Sequence, residues 1–330
     1  KVTKGADTVI NATLPKYNLK IMDAALKSGA HYVDLASNIP ETSILKELEL
    51  SPKWKDAGLT AVINQGGPFV LSVLVRYAAD KLDRVDAIRL RYGSRPVTKE
   101  KEVIPTWRPR WSPEVALDEW ASEPVIHENG KFKNLPQFSG IEEYKFPDPV
   151  GPVTLCFIEY EPVETLPLFI GKGVKHVDCK ITFDPMVAAL HKMGLGSDKP
   201  IEVKGVKVAP RDVLLTLVPP PVETEDKIAT GEMDIVACLL AEVEGEKAGE
   251  KIIYTMYRTQ SLREIYKKFG ATWAMVAIPA TVTATMLAKG EIKIKGIIPP
   301  EGLEPKPFLA KLAEIGVTFQ EMVSKEIRQI

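Results

Sequence analysis

Four short segments of this chain have residue types and spacing that could do chemistry. In TWRPRWSP (106–113), Arg108 and Arg110 flank Pro109 and sit between Trp107 and Trp111, with Ser112 following. A guanidinium fork binds a carboxylate through two parallel hydrogen bonds. Indole rings beside it would wall an aliphatic or cationic part of the same ligand. The segment equally suits a loop anchored by its tryptophans. Asp34 closes the apolar stretch HYVD (31–34), with Ala36, Ser37 and Asn38 just beyond it. A carboxylate at such an end can orient a ligand or move a proton, or it can cap a following helix. Asn64, Gln65, Gly66, Gly67 and Pro68 follow the apolar LTAVI (59–63). Paired glycines let a ligand approach the backbone and also suit any tight turn. Asn11, Ala12, Thr13, Leu14 and Pro15 end the fourth segment, offering an amide and small side chains, or a plain strand-to-helix turn.

The elements around these segments set where they can lie. TVINA (8–12), HYVD (31–34) and LTAVI (59–63) read as short strands. Helical patterns separate them, over 17–28 (stopped by Gly29), over 41–50 and 51–58, and over the apolar run 69–82. A strand is expected over 84–92. Strand–helix–strand units at this spacing give right-handed crossovers and a parallel sheet. The first strands are apolar throughout, as a sheet covered on both faces requires. Ligands of such sheets bind beyond the carboxyl ends of the strands, where Asn11, Asp34 and Asn64 stand.

From about residue 86 the pattern alternates. VTLCFIEY (153–160) and HVDCKITF (176–183) read as strands, and 201–208 turns over Lys204-Gly205 as a hairpin. Residues 235–243 and 251–258 form another. Arg95–Pro113 reads as a loop. The expected architecture is α/β plus α+β: a partial, doubly wound parallel sheet followed by an antiparallel α+β domain. The divisions are 1–85, 86–270 and a helical segment 271–330.

The chain has 330 residues, with 43 Lys and Arg against 44 Asp and Glu, a net charge of -1. That balance argues against nucleic-acid binding, which needs a basic excess. Cys156, Cys179 and Cys238 form no CxxC pair, so no zinc site or disulfide framework is expected, and free thiols point to a reducing, cytoplasmic setting. The longest apolar run, Trp273 to Ala288, contains Pro279 and is too short to span a bilayer. No membrane partner is expected.

A dinucleotide-binding sheet usually announces itself by GxGxxG after its first strand. The GxG triplets at 171–173 and 194–196 neither follow a strand nor open a helix. That half of the nucleotide-binding domain is expected before Lys1, and the chain by itself is not expected to hold the cofactor pyrophosphate tightly.

KGADTVINATLPKYNLKIMDAALKSGAHYVDLA (4–36), AGLTAVINQGGP (57–68), RWSPEVALDEWASEPVIHENGK (110–131), VKGVKVAPRDVL (203–214) and ATWAMVAIPATVTATMLAKGEIKIKGIIPPE (271–301) together resemble the saccharopine dehydrogenase family. Where family members commonly carry Gly-x-x-Pro-Gly, this chain has Gly66-Gly67-Pro68-Phe69. The resemblance implies an NAD- or NADP-dependent oxidoreductase acting on the C–N bond of a lysine-derived amino acid, and a homodimer. It implies a Rossmann-type cofactor domain whose second half is 1–85, an inserted antiparallel α+β domain for substrate over 86–270, and a segment 271–330 that returns to the cofactor domain. It implies a cofactor site drawn from Asn11, Ala12, Leu14, Pro15, Ala36, Ser37, Asn38, Asn64, Gly66 and Gly67. Substrate would meet Arg108, Arg110, Trp111 and Ser112, with Arg91 and Arg95 in reserve. Amine oxidation needs a proton acceptor with a pKa near working pH. Asp34 is the carboxylate at these strand ends; a bound water is the rival. The different-class alternative is a non-catalytic scaffold with the family fold, which the missing phosphate loop would favour.

Overall fold

The structure is a computed structural model that describes residues 3–37, 44–98 and 107–325. Among these, four parallel strands form the first sheet, in the order Thr8–Asn11, His31–Asp34, Thr60–Val62 and Gly296–Ile298. Asn11 lies level with Asp34 in register, so the carboxyl ends of the first two strands share one rim. The helix Asn18–Ser28 buries Met22 and Ala25 beneath the sheet and stops at Gly29. Gly29 takes φ 74°, a left-handed conformation that turns its N–H back onto the last carbonyls.

The helix Val70–Ala79 is apolar on nearly every side because it is covered on nearly every side. Val70 and Val73 join the core of the first sheet, while Leu71, Leu74, Val75 and Ala78 join that of the second. This helix therefore fixes the two sheets relative to each other.

The second sheet has nine strands among the described residues, built on the long strands Arg84–Thr98, Met233–Lys247 and Glu250–Ser261. The α/β plus α+β class is borne out, with two corrections of detail. The sheet is mixed rather than antiparallel, because Arg84–Thr98 pairs in parallel with His176–Thr182. The long excursion between them, which carries two helices, makes a parallel pair accessible. The expected loop from Arg95 also begins as strand, since Met233–Lys247 extends far enough to pair Arg95 with Val236.

The helix Ala274–Ala288 packs on the first sheet, and Gln65 Nε2 donates to Thr283 Oγ1 at 2.9 Å. The terminal strand Gln320–Lys325, not foreseen, pairs with Glu250–Ser261 at the rim of the second sheet. Among the described residues no single helix is long and apolar enough to cross a membrane.

Candidate active site

Between the carboxyl rim of the first sheet and one face of the second lies a cavity of about 420 Å³. Its first wall is backbone-rich: Pro15, Leu35, Ala36, Ser37, Gly66 and Gly67. Gly66 is required there, since a Cβ at that position would overlap the Leu35 carbonyl oxygen and press on the Leu35 side chain. Leu35 cannot retreat freely, because Gln65 N–H donates to Asp34 O at 2.9 Å and locks the two turns together. Gly66→Ala should cost about 1–3 kcal/mol by overpacking. We expect it to lower the melting temperature, measured by thermal denaturation.

The opposite wall is ionic and aromatic. Strand Pro152–Phe157 runs on into Glu159, Tyr160 and Glu161, and the helix Pro113–Ala121 brings Asp118 and Glu119 alongside Trp111 and Arg110. Ser112 does not touch the cavity: its hydroxyl accepts from Val115 N–H and starts that helix. Cys238, Gln260, Thr272 and Trp273 complete the enclosure.

Glu161 leaves the second domain and is captured by the first, its Oε1 accepting from Ser37 N–H at 3.0 Å. Burial, with Glu159 and Glu47 nearby, pushes its carboxyl up to about 8. Glu119 is likewise pushed up to about 8, by burial and then by Glu161. Glu159, whose Oε2 accepts from Val125 N–H at 2.7 Å, is raised by burial to about 7. Burial draws the Arg110 guanidinium below its ordinary value. The wall thus holds carboxyl groups that exchange protons near neutrality beside a desolvated cation.

A family model for the saccharopine dehydrogenase C-terminal domain matches residues 70–317, and one for the saccharopine dehydrogenase NADP binding domain matches residues 1–62. The chain belongs to the saccharopine dehydrogenase family. Carboxyaminopropylagmatine dehydrogenase of Synechocystis sp. is 26% identical over 97% of this chain and 80% of its own length. Carboxynorspermidine synthase of Vibrio alginolyticus is 25% identical over 95% of this chain and 77% of its own. By fold, the chain is similar to apo saccharopine dehydrogenase (L-Glu forming) from Saccharomyces cerevisiae, with a TM-score of 0.69 and 15% identity over 97% of this chain and 85% of that one. It is also similar to homospermidine synthase from Legionella pneumophila in complex with NAD, with a TM-score of 0.67 and 14% identity over 98% of this chain and 76% of that one. The resemblance read from the sequence is borne out, as are the dehydrogenase class and an NAD(P) cofactor.

In this saccharopine dehydrogenase family member the strand-end residues divide into two layers. Pro15, Ala36, Ser37, Gly66 and Gly67 face the cavity. Asn11, Asp34 and Asn64 lie behind it, all buried. Ala12 and Leu14 do not line it, and Asn38 falls outside the described residues. Asn11 holds the rim together: Nδ2 donates to Asn18 Oδ1 at 2.8 Å and to Tyr32 OH at 2.9 Å, and Oδ1 accepts from Thr13 N–H. Asp34 Oδ1 accepts from Asn64 N–H at 2.6 Å. Burial, and then Glu47, raise its carboxyl well above the usual range. It braces the turn at Asn64 and does not reach the cavity.

Of the arginines, Arg110 lines the cavity and Arg108 does not. Arg91 is buried on the far side of the second sheet in an ion pair with Asp178, and Arg95 donates to the Val150 and Pro149 carbonyls. His176 is half-buried and bonded to Asp178 at 2.7 Å. Sequence reasoning missed Glu119, Glu159 and Glu161. For Glu159 and Glu161 the signal is their place just past the apolar strand VTLCF; Glu119, on the helix Pro113–Ala121, has none.

The cofactor's nicotinamide end fits the first wall. Gly66 and Gly67 leave the backbone open, and the buried Asn64, at φ 60°, has its side-chain Nδ2 and Oδ1 without a hydrogen-bond partner. Among the described residues no cluster of three or more His, Cys, Asp or Glu is arranged to hold a metal ion.

The raised carboxyls have a consequence for stability. A carboxyl with a folded pKa above its unfolded value stabilises fully below the unfolded value, and that stabilisation is lost as pH rises through the folded one. Glu47, Glu159 and Glu301 are raised to about 7, and Glu119 and Glu161 to about 8. The melting temperature should therefore fall between pH 5 and 8.5, by roughly 5 °C or more, in a thermal scan across buffers.

Proposed function

We propose that this dehydrogenase makes or breaks the secondary-amine C–N bond of a carboxylated polyamine. The supporting observation is the composition of the cavity wall: Glu119, Glu159 and Glu161 line it together with Arg110, while Asp118 is already paired with Arg211 at 2.7 Å. One guanidinium suits one substrate carboxylate, whereas several carboxylates suit a ligand with several ammonium groups. The names carboxyaminopropylagmatine and carboxynorspermidine describe ligands of that composition, a carboxyl on a polyamine backbone.

When bound, the nicotinamide cofactor supplies or accepts the hydride at the carbon beside nitrogen. Glu161, tied to Ser37 at the cofactor wall, stands where the reacting nitrogen must exchange a proton. In the oxidative direction it takes the ammonium proton, so that the nitrogen lone pair can assist loss of hydride. In the reductive direction it returns a proton to the nitrogen. Arg110 clamps the carboxylate, while Glu119 and Glu159 hold the remaining ammonium groups. Trp111, Tyr160 and Trp273 exclude water and offer ring faces to those cations.

A lysine-derived substrate such as saccharopine is the second reading, favoured by Arg110 because an amino acid also carries a carboxylate. Turnover assays separate the two. An amino acid bearing a terminal aldehyde is supplied with a diamine and NADH or NADPH, and saccharopine or lysine is supplied with the oxidised cofactors. Diamine-dependent consumption of reduced cofactor, with a secondary amine identified by mass spectrometry, supports the polyamine reading. Turnover confined to saccharopine or lysine overturns it.

A further inference from the structure

Behind the cavity wall stands a carboxylate with no place in that chemistry. Glu47, on the helix Ile44–Leu48, is fully buried, does not line the cavity, and is wired to it. Its Oε2 accepts from Ser37 Oγ at 3.1 Å, and the Ser37 N–H is the donor that holds Glu161 Oε1. Its Oε1 accepts from Asn18 Nδ2 at 3.0 Å, and the same amide donates to Ala36 O at 2.8 Å. One serine therefore joins two carboxylates from different domains, and one asparagine fastens the inner carboxylate to the backbone of the cofactor wall.

We propose that Glu47 is a positioning residue that sets the place of Glu161 through Ser37 and, by its own charge, the proton affinity of Glu161. This rests on the reading of Glu161 as the proton acceptor. Burying a polar side chain between layers is unfavourable unless its partners are satisfied. Glu47 meets that condition with one donor for each oxygen, Ser37 Oγ and Asn18 Nδ2. Two carboxylates bridged by one serine cannot ionise independently: a charge on the inner one opposes a charge on the outer one.

The groups facing this pair come from every element around it. Tyr32 and Asp34 lie on the strand His31–Asp34, Glu159 and Tyr160 precede Glu161, and Glu119 faces it from the helix Pro113–Ala121. Glu47 and Glu159 both act to raise Glu161, and Glu161 and Glu47 both act to raise Asp34. Removing the charge on Glu47 while keeping its shape must therefore lower the pH at which Glu161 ionises.

The test is the pH dependence of kcat in the oxidative direction for Glu47→Gln, Ser37→Ala and Glu161→Gln, on whichever substrate the wild type turns over. For Glu47→Gln the rising limb should move to lower pH by about half a unit or more. For Ser37→Ala the limb should stay within that range of wild type while kcat falls several-fold at an unchanged amine KM. A purely structural Glu47 would lower activity or melting temperature and leave the limb in place, and that result overturns the proposal. Should Glu47→Gln fail to fold, Ser37→Ala decides: wild-type kcat overturns the proposal, and reduced kcat at constant KM supports it. Glu161→Gln with a wild-type profile would sink the acceptor assignment itself, a failure distinct from an unmoved limb in Glu47→Gln alone.

Discussion

Replacing Glu161 with Gln should lower kcat by roughly a hundred- to ten-thousandfold, the range for losing a positioned general base. The substitution is conservative in every other respect. A glutamine keeps the side-chain length, and its Oε1 still accepts from the Ser37 N–H that Glu161 Oε1 now engages at 3.0 Å. What disappears is a carboxyl that burial holds at about 8, close enough to neutrality to accept a proton and release it again. The rising limb of the oxidative pH profile should vanish with it, and cofactor affinity should hardly change. Glu119→Gln provides the contrast. Glu119 is also raised to about 8, yet it comes from the helix Pro113–Ala121 beside Trp111, and the Ser37 N–H goes to Glu161 instead. Its loss should raise the KM for the amine more than it lowers kcat. Steady-state kinetics of both variants across pH is the measurement. Wild-type kcat in Glu161→Gln together with a collapsed kcat in Glu119→Gln would exchange the two roles.

The fold was legible where local pattern decides it. Apolar runs of four or five residues closed by Asn11, Asp34 and Asn64 gave the parallel strands, and Gly29 gave the end of the first helix. The backbone wall of the cavity was legible too, since the two glycines at 66 and 67 follow a strand directly. The ionic wall was not. Ser37 and Glu161 are hydrogen-bonded across 124 positions of chain, and no periodicity records which strand ends a tertiary fold will bring together. Asp34 misled for a related reason. It has the right place on the rim, but its Oδ1 accepts from Asn64 N–H and it does not line the cavity. A rim carboxylate in the sequence becomes a bracing carboxylate in the structure. The segment around Trp107 and Trp111 promised both an anchor and a ligand wall, and it is both: Trp107 is buried in the core of the second domain and Trp111 faces the cavity.

That division carries over to the two arginines between these tryptophans. Arg110 lines the cavity with its guanidinium 5.8 Å from the Trp111 ring, while Arg108 does not line it. Burial already lowers the Arg110 pKa, with Tyr160 and Asp184 opposing, so the cation sits partly desolvated before any substrate carboxylate reaches it. Desolvation is the costly part of forming such a pair, and a site that has met this cost in folding binds the anion with less further loss. Arg110→Met keeps much of the apolar stem against Trp111 and removes the charge. Substrate binding should weaken by about 1.5–3 kcal/mol, roughly ten- to a hundredfold, with cofactor affinity unchanged because that wall belongs to the first sheet. Lys at the same position should rescue only in part, since it restores charge without the planar fork. Arg108→Met, by contrast, should leave the substrate KM within about threefold of wild type, because Arg108 does not line the cavity. Steady-state kinetics with substrate varied at saturating cofactor reads all three variants. A wild-type KM in Arg110→Met, with normal folding, would assign this arginine to packing against Trp111 and leave the substrate carboxylate to Gln260 and Thr272 on the remaining wall of the cavity.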